Sequence, residues 1–175
     1  MAAVLGFILG VLLSLIKISK CKPLVWFGNF YTSIFRGTPL LVQLCIVHFG
    51  LPQLTGMTLT TMQSGVLTFS LNSAAYISEI FRGGINAIDR GQYEAAMSLG
   101  VGYRDMMKDI ILPQAIKSVL PSLVNEFISL LKNTTLIASI GLVDILSVGQ
   151  RIQARTYRAF EPFFAIAVFY YALVL

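Results

Sequence analysis

Long apolar runs, broken by short charged stretches, leave this sequence few ways to fold. Ala2 to Ile16 is apolar apart from Ser14, and Phe163 to Leu175 is apolar to its final residue. Only 12% of the 175 residues are charged, against about 25% in soluble domains. A membrane-crossing helix takes about 20 mostly apolar residues, which predicts about five spans. The first covers roughly Ala2 to Ile18. The second is centred on Pro39 to Leu51 and is extended backward through Leu24 to Phe35, an aromatic stretch suited to the membrane interface. The third runs from Leu59 to about Phe81, the fourth from about Val119 to Leu142, and the last begins near Phe163. The expected fold class is an all-α, polytopic membrane helix bundle forming one domain over residues 1–175. Because the chain starts and stops inside apolar runs, it is expected to be truncated at both ends.

Charge supports the same class. A signal peptide carries its charge before the apolar stretch, whereas here Lys17, Lys20 and Lys22 follow it. The net charge of +5 fits the collection of Lys and Arg in cytoplasmic loops, since no polar domain exists to present a basic face to nucleic acid. The uncharged loop Leu51 to Met57 reads as outside. Gly83 to Lys117 reads as cytoplasmic, on the side of the lysine cluster. Arg151, Arg155 and Arg158 then fall outside, against the rule. Cys21 and Cys45 lack metal-type spacing, and His48, within an apolar run, reads as a packing or helix-end residue. Gly56, Gly83, Gly84 and Gly102 read as turn punctuation, while Pro113 and Pro121 limit where helices begin or continue.

The cytoplasmic stretch at about 83–117 carries the most information. Glu94 to Leu99 contains strong helix formers, and Gly100 to Gly102 permits a sharp turn. Tyr103 to Leu112 resumes a helical pattern that Pro113 either ends or passes to the next helix. A helix-turn-helix between two spans makes a compact knob able to dock into a groove on another protein. Glu94-Ala95-Ala96, Gly100, Ile110 and Leu112-Pro113 resemble, without a spacing error, the EAA loop of bacterial ABC importer permeases. The segments Phe35-Arg-Gly-Thr-Pro39, Leu71-Asn-Ser-Ala-Ala-Tyr76, Glu79-Ile-Phe-Arg-Gly-Gly84 and Leu131-Lys-Asn-Thr-Thr-Leu136 resemble the polar amino-acid branch (histidine, arginine, glutamine and opine type). The resemblance covers about residues 1 to 170. It implies that Glu94, Ala95, Ala96, Gly100, Ile110, Leu112 and Pro113 couple the chain to an ATPase subunit.

The chain has no G-x-x-x-x-G-K-[ST] phosphate cradle and no evident catalytic dyad. It is therefore expected to be a transporter subunit rather than an enzyme. No cofactor or metal is expected on it, with ATP and Mg on the partner ATPase. The resemblance further implies an extracytoplasmic substrate-binding protein, a second permease copy or paralogue, contact with membrane lipid, and a place in the bacterial cytoplasmic (inner) membrane.

The fourth span holds polar groups that a bilayer penalises. Ser122, Asn125, Glu126, Ser129, Lys132 and Asn133 form a stripe about 120° wide at 100° per residue, opposite Leu123, Val124, Phe127, Ile128, Leu130 and Leu131. A charge at a helix centre costs about 2.5–3.5 kcal/mol on insertion scales, so a shared polar cavity accounts for Glu126 and Lys132 better than lipid does. The third span adds Asn72, Tyr76 and Glu79, with small Ser73, Ala74 and Ala75 permitting close helix approach, and Glu79 lies three residues from Arg82, within pairing distance. The resemblance makes Asn72, Tyr76, Glu126, Lys132, Asn133 and Thr134 candidates for the wall of a midmembrane pocket, with Lys132 meeting a carboxylate and Glu126 an ammonium. Members that take basic amino acids often read Lys-Asp-Thr-Ser where this chain reads Lys132-Asn133-Thr134-Thr135, which weakens the case for a cationic substrate. An ion-coupled secondary amino-acid carrier would explain the intramembrane charges but not the EAA spacing. A scaffold or sensor subunit would explain the knob but not the polar stripe.

Overall fold

The computed structural model describes residues 1–175 and contains only helices. They are α1 (Ala2–Ile18), α2 (Lys22–Gly37), α3 (Leu40–Thr55), α4 (Thr61–Asn86), α5 (Arg90–Ser98), α6 (Tyr103–Ile140), α7 (Ile145–Thr156) and α8 (Phe160–Val174). The 26-residue α4 is the central post, with α1, α2, α3 and α6 packed around it. Its start is fixed by a capping box in which Thr60 and Gln63 satisfy each other's backbone N–H groups.

The first and last apolar runs form helices at the positions expected. The second does not form one span, because α2 and α3 meet at 104°. Thr38 precedes Pro39, which drives it into an extended conformation (φ −120°, ψ 147°) and breaks the helix. The corner is held by Gln43, whose amide donates to the Phe35 carbonyl at 2.9 Å and the Thr38 carbonyl at 3.0 Å. No single helix is long and apolar enough to cross a membrane by itself, but the pair α2–α3 and the pair α6–α7 qualify together, the latter bent by 53°.

Pro113 does not break the chain. The backbone from Met106 to Ile111 widens into a π-helical turn, and the Leu112 N–H reaches back five residues to the Met107 carbonyl. Such a turn absorbs the missing proline donor, so the helix begins at Tyr103 rather than near Val119 and runs on through Pro121. Its final turns, Thr134–Ile140, tighten to 3₁₀ geometry. Gly83 and Gly84 are not turn residues either, since both lie inside α4. At Gly84 a side chain would overlap Val119, so the glycine sets how closely α4 and α6 approach.

The core follows this antiparallel α4–α6 pairing. Ile77, Val119 and Leu123 pack at one level, and Leu44, Phe69, Leu130, Ile137 and Ile140 at the next. Beside that pairing, Gly6 and Gly10 bring the α1 backbone close to α4 at Ser73 and Ile77. A Cβ on Gly10 would stand 2.7 Å from Ile77. The Gly-x-x-x-Gly spacing gives the small-residue seam that replaces hydrophobic driving force between helices in lipid.

Candidate transport pocket and coupling knob

A polar pocket of about 240 Å³ opens level with the middle of α4. Thr38 and Leu40 reach it from the α2–α3 corner, Asn72 and Tyr76 from α4, and Glu126, Ser129 and Asn133 from α6. The α6 residues share a face because they are spaced three and four apart. Glu126 accepts a hydrogen bond from Ser73 at 3.0 Å through Oε1, so Oε2 remains for the pocket. The Asn72 amide donates to the Phe35 carbonyl and to Gln43 Oε1, both at 3.0 Å, tying the pocket wall to the helix corner. The Arg36 guanidinium lies 5.4 Å from the centre of the Tyr76 ring without lining the pocket itself.

Four of the six expected pocket residues thus come together: Asn72, Tyr76, Glu126 and Asn133. Lys132 is exposed and Thr134 turns back to donate to the Leu131 carbonyl at 2.6 Å, so neither lines the pocket. Thr38 and Leu40 were not anticipated, although the Gly37-Thr38-Pro39 break was the signal that could have placed them. The polar stripe of α6 also divides. Glu126 and Asn133 are half-buried, while Ser122, Asn125, Ser129 and Lys132 are exposed and the buried line is Ala115, Val119, Leu123 and Leu130.

Glu79 belongs to a different group. Its expected pair with Arg82 forms at 2.7 Å, but Lys17 of α1 also binds its carboxylate and Arg36 of α2 approaches to 3.7 Å. The Lys17 ammonium is buried and donates to Thr32 Oγ1 at 3.0 Å. Sequence reasoning had placed Lys17 with the loop lysines. Its spacing from Gly10 along α1, two helical turns, was the available clue that it faces α4. His48 sits in a π-helical turn (Ile46–Gly50) of α3, with Nδ1 3.0 Å from Ser64 Oγ and its ring edge-on to Phe49, a packing role.

The helix-turn-helix at 90–111 forms as a knob with its own small core of Ala96, Met106 and Ile111. Asp89 caps α5 by accepting from the Gly91 N–H at 2.6 Å. Gly100 adopts φ +71°, turning the chain toward α6. Of the motif residues, Ala96 is buried and Ile110 packs on that core. Glu94, Ala95 and Gly100 are exposed, and Leu112 and Pro113 lead into the long helix. Met97, Leu99 and Tyr103 add an apolar surface beside them, with Leu99 82% exposed. Burial lifts the Tyr93 phenol above its ordinary value, and nearby Tyr103 adds to the shift.

A helical bundle with a polar pocket at mid-height and a separate helix-turn-helix unit at one end fits a membrane transport subunit. The sequence matches the family described as "Binding-protein-dependent transport system inner membrane component" over residues 3–175, and the chain belongs to that family. It is 52% identical over 174 residues to the arginine transport system permease protein ArtQ of Bacillus subtilis (strain 168), covering 99% of this chain and 80% of the relative. It is 49% identical, with the same coverage, to the putative glutamine transport system permease protein GlnP of Rickettsia bellii (strain RML369-C). Among solved structures it resembles an amino acid ABC transporter crystallised with histidines, with a TM-score of 0.93 and 43% identity over 99% of this chain and 80% of the other. The chain is accordingly a transporter component.

Proposed function

We propose that this chain is the permease subunit of an importer that brings polar amino acids across the bacterial cytoplasmic membrane. An extracytoplasmic binding protein delivers the solute. A second permease copy or paralogue completes the pathway, and a separate ATPase supplies the energy. The chain itself binds no cofactor, and ATP and Mg reside on that ATPase.

The observation that carries this reading is the Glu126 carboxylate in a small pocket otherwise lined by Thr38, Leu40, Asn72, Tyr76, Ser129 and Asn133. Its volume is below the roughly 300–1,000 Å³ of drug-sized sites, which suits a small solute. Glu126 Oε2 takes the ammonium of the amino acid, while the Tyr76 and Ser129 hydroxyls and the Asn133 amide donate to the carboxylate. Lys132 has no part in the pocket of its own chain, so carboxylate recognition falls to neutral donors. One acid and no base in the pocket also fit a zwitterion better than a substrate with two cationic groups. The names of the relatives, which include arginine and glutamine systems, and the amino acid ABC transporter crystallised with histidines support the substrate class.

Coupling runs through the knob. Glu94 and Ala95 face outward with Met97, Leu99 and Tyr103, a charged and apolar surface for a groove on the ATPase. The knob core of Ala96, Met106 and Ile111 ties that surface to α6, which carries Glu126, so movement at the knob reaches the pocket through one continuous helix.

Uptake of labelled amino acid by the reconstituted transporter tests the pocket. Glu126→Gln removes a charge-assisted contact worth about 1.5–3 kcal/mol. The half-saturating concentration should therefore rise about 10- to 100-fold, with the ATPase still bound, and Lys132→Ala should change it far less. Equal effects of the two substitutions would count against the assignment.

A further inference from the structure

A second cavity, of about 890 Å³, lies along α2 between it and the C-terminal parts of α1 and α4, and nothing in the transport reading uses it. Lys17, Arg36 and Arg82 line it with Glu79 as the one carboxylate, and Asn29 and Ser33 add neutral polar groups. Both Glu79 oxygens are already engaged, Oε1 by Lys17 and Oε2 by Arg82 at 2.7 Å and Arg36 at 3.7 Å. Three cations sharing one carboxylate leave a surplus of positive charge. The two arginine side chains remain 46% (Arg36) and 41% (Arg82) exposed, so N–H groups not used by Glu79 stay open to the cavity. Fork-shaped guanidinium donors match phosphate oxygens.

We infer that this cavity binds the phosphate of an anionic phospholipid headgroup. The surroundings favour a lipid over a soluble phosphate. The face of α2 turned away from the cavity exposes Trp26, Phe27 and Phe30, with Trp26 and Phe30 stacked at 5.5 Å. Aromatic side chains of this kind collect at headgroup depth. Lys20 and Lys22 lie at the same end of the bundle, between α1 and α2, and basic pockets between membrane helices on that side accept anionic headgroups. An amino acid is a poorer occupant, because its ammonium would enter a positively charged site. Arg36 connects the two cavities, since it lines this one and stacks on Tyr76 of the transport pocket.

The test is native mass spectrometry of the full transporter after incubation with phosphatidylglycerol or phosphatidylcholine. Phosphatidylglycerol should be retained preferentially. Arg36→Gln should reduce its retention about fivefold, the worth of one cation near an anionic surface, while Arg36→Lys should keep most of it. Asn29→Asp places a carboxylate at the cavity wall without removing an ion pair, and should lower retention similarly in a protein whose thermal unfolding is unchanged. Equal retention of the two lipids, or retention unaffected by these substitutions, would overturn the inference. So would displacement of phosphatidylglycerol by millimolar inorganic phosphate, which would mark the site as one for a soluble anion. Because the readout is lipid retention and not uptake, each of these failures would leave the transport reading standing.

Discussion

Gly100 occupies the left-handed region at φ +71°, and no neighbouring atom crowds the place where a side chain would begin. Substitution there acts through backbone strain alone. Gly100→Ala should cost about 1 kcal/mol locally and tilt α5 relative to α6, weakening ATP-driven uptake while the permease remains folded and inserted. Uptake and ATP hydrolysis measured together would check this, and unaltered coupling would argue that the turn geometry is not transmitted. Gly100 was legible from the seven spaced identities of its motif. Glu126 was legible because a carboxylate inside an apolar span needs a polar neighbour. Lys132 misled, because a helical wheel gives a side chain's angle and not the distance to the facing helix. Lys17 was hidden for the complementary reason, as its partner Glu79 lies 62 residues away and only the packing of α1 on α4 brings them together.

Among the elements, α1 is seated on α4 by small residues that let the two backbones approach closely. Gly6 and Gly10 allow α1 to lie against Ser73 and Ile77, and the resulting contact places Lys17 on Glu79. Gly10→Leu should force the helices apart and cost about 1–3 kcal/mol, seen as a lower unfolding temperature of the detergent-solubilised complex. Gly37, whose Cβ would meet no atom within 4 Å, should tolerate Ala without that packing cost. That α1 and α8 are helices was readable because a long apolar run has few solutions in a bilayer. The α2–α3 corner was not. Apolar runs flank Arg36-Gly37-Thr38 on both sides, and the extended residue before Pro39, held by Gln43, makes two helices of them. The long α6 was misjudged in the opposite sense, because a π-helical turn accommodates Pro113 where an ordinary helix would have ended. In both cases local proline chemistry set the outcome.

At the scale of the molecule, one long helix, α6, joins the knob to the pocket. The proposed coupling requires that a displacement of the knob, imposed by an ATPase on another subunit, reach Glu126 along that helix. An ion-coupled carrier would need a pocket that responds to a gradient and would have no use for the knob. Family membership and the all-α bundle both followed from the sequence. The second cavity did not, because its four charged residues lie on three helices whose angles no single segment specifies. The most direct test is uptake of a labelled polar amino acid into liposomes holding the permease, its ATPase and the binding protein, with and without ATP on the ATPase side and with ion gradients collapsed. Uptake that requires ATP, persists without a gradient and falls when Glu94 and Ala95 are replaced by bulky residues is the predicted result. Uptake that follows an imposed ion gradient and proceeds without ATP would contradict the account.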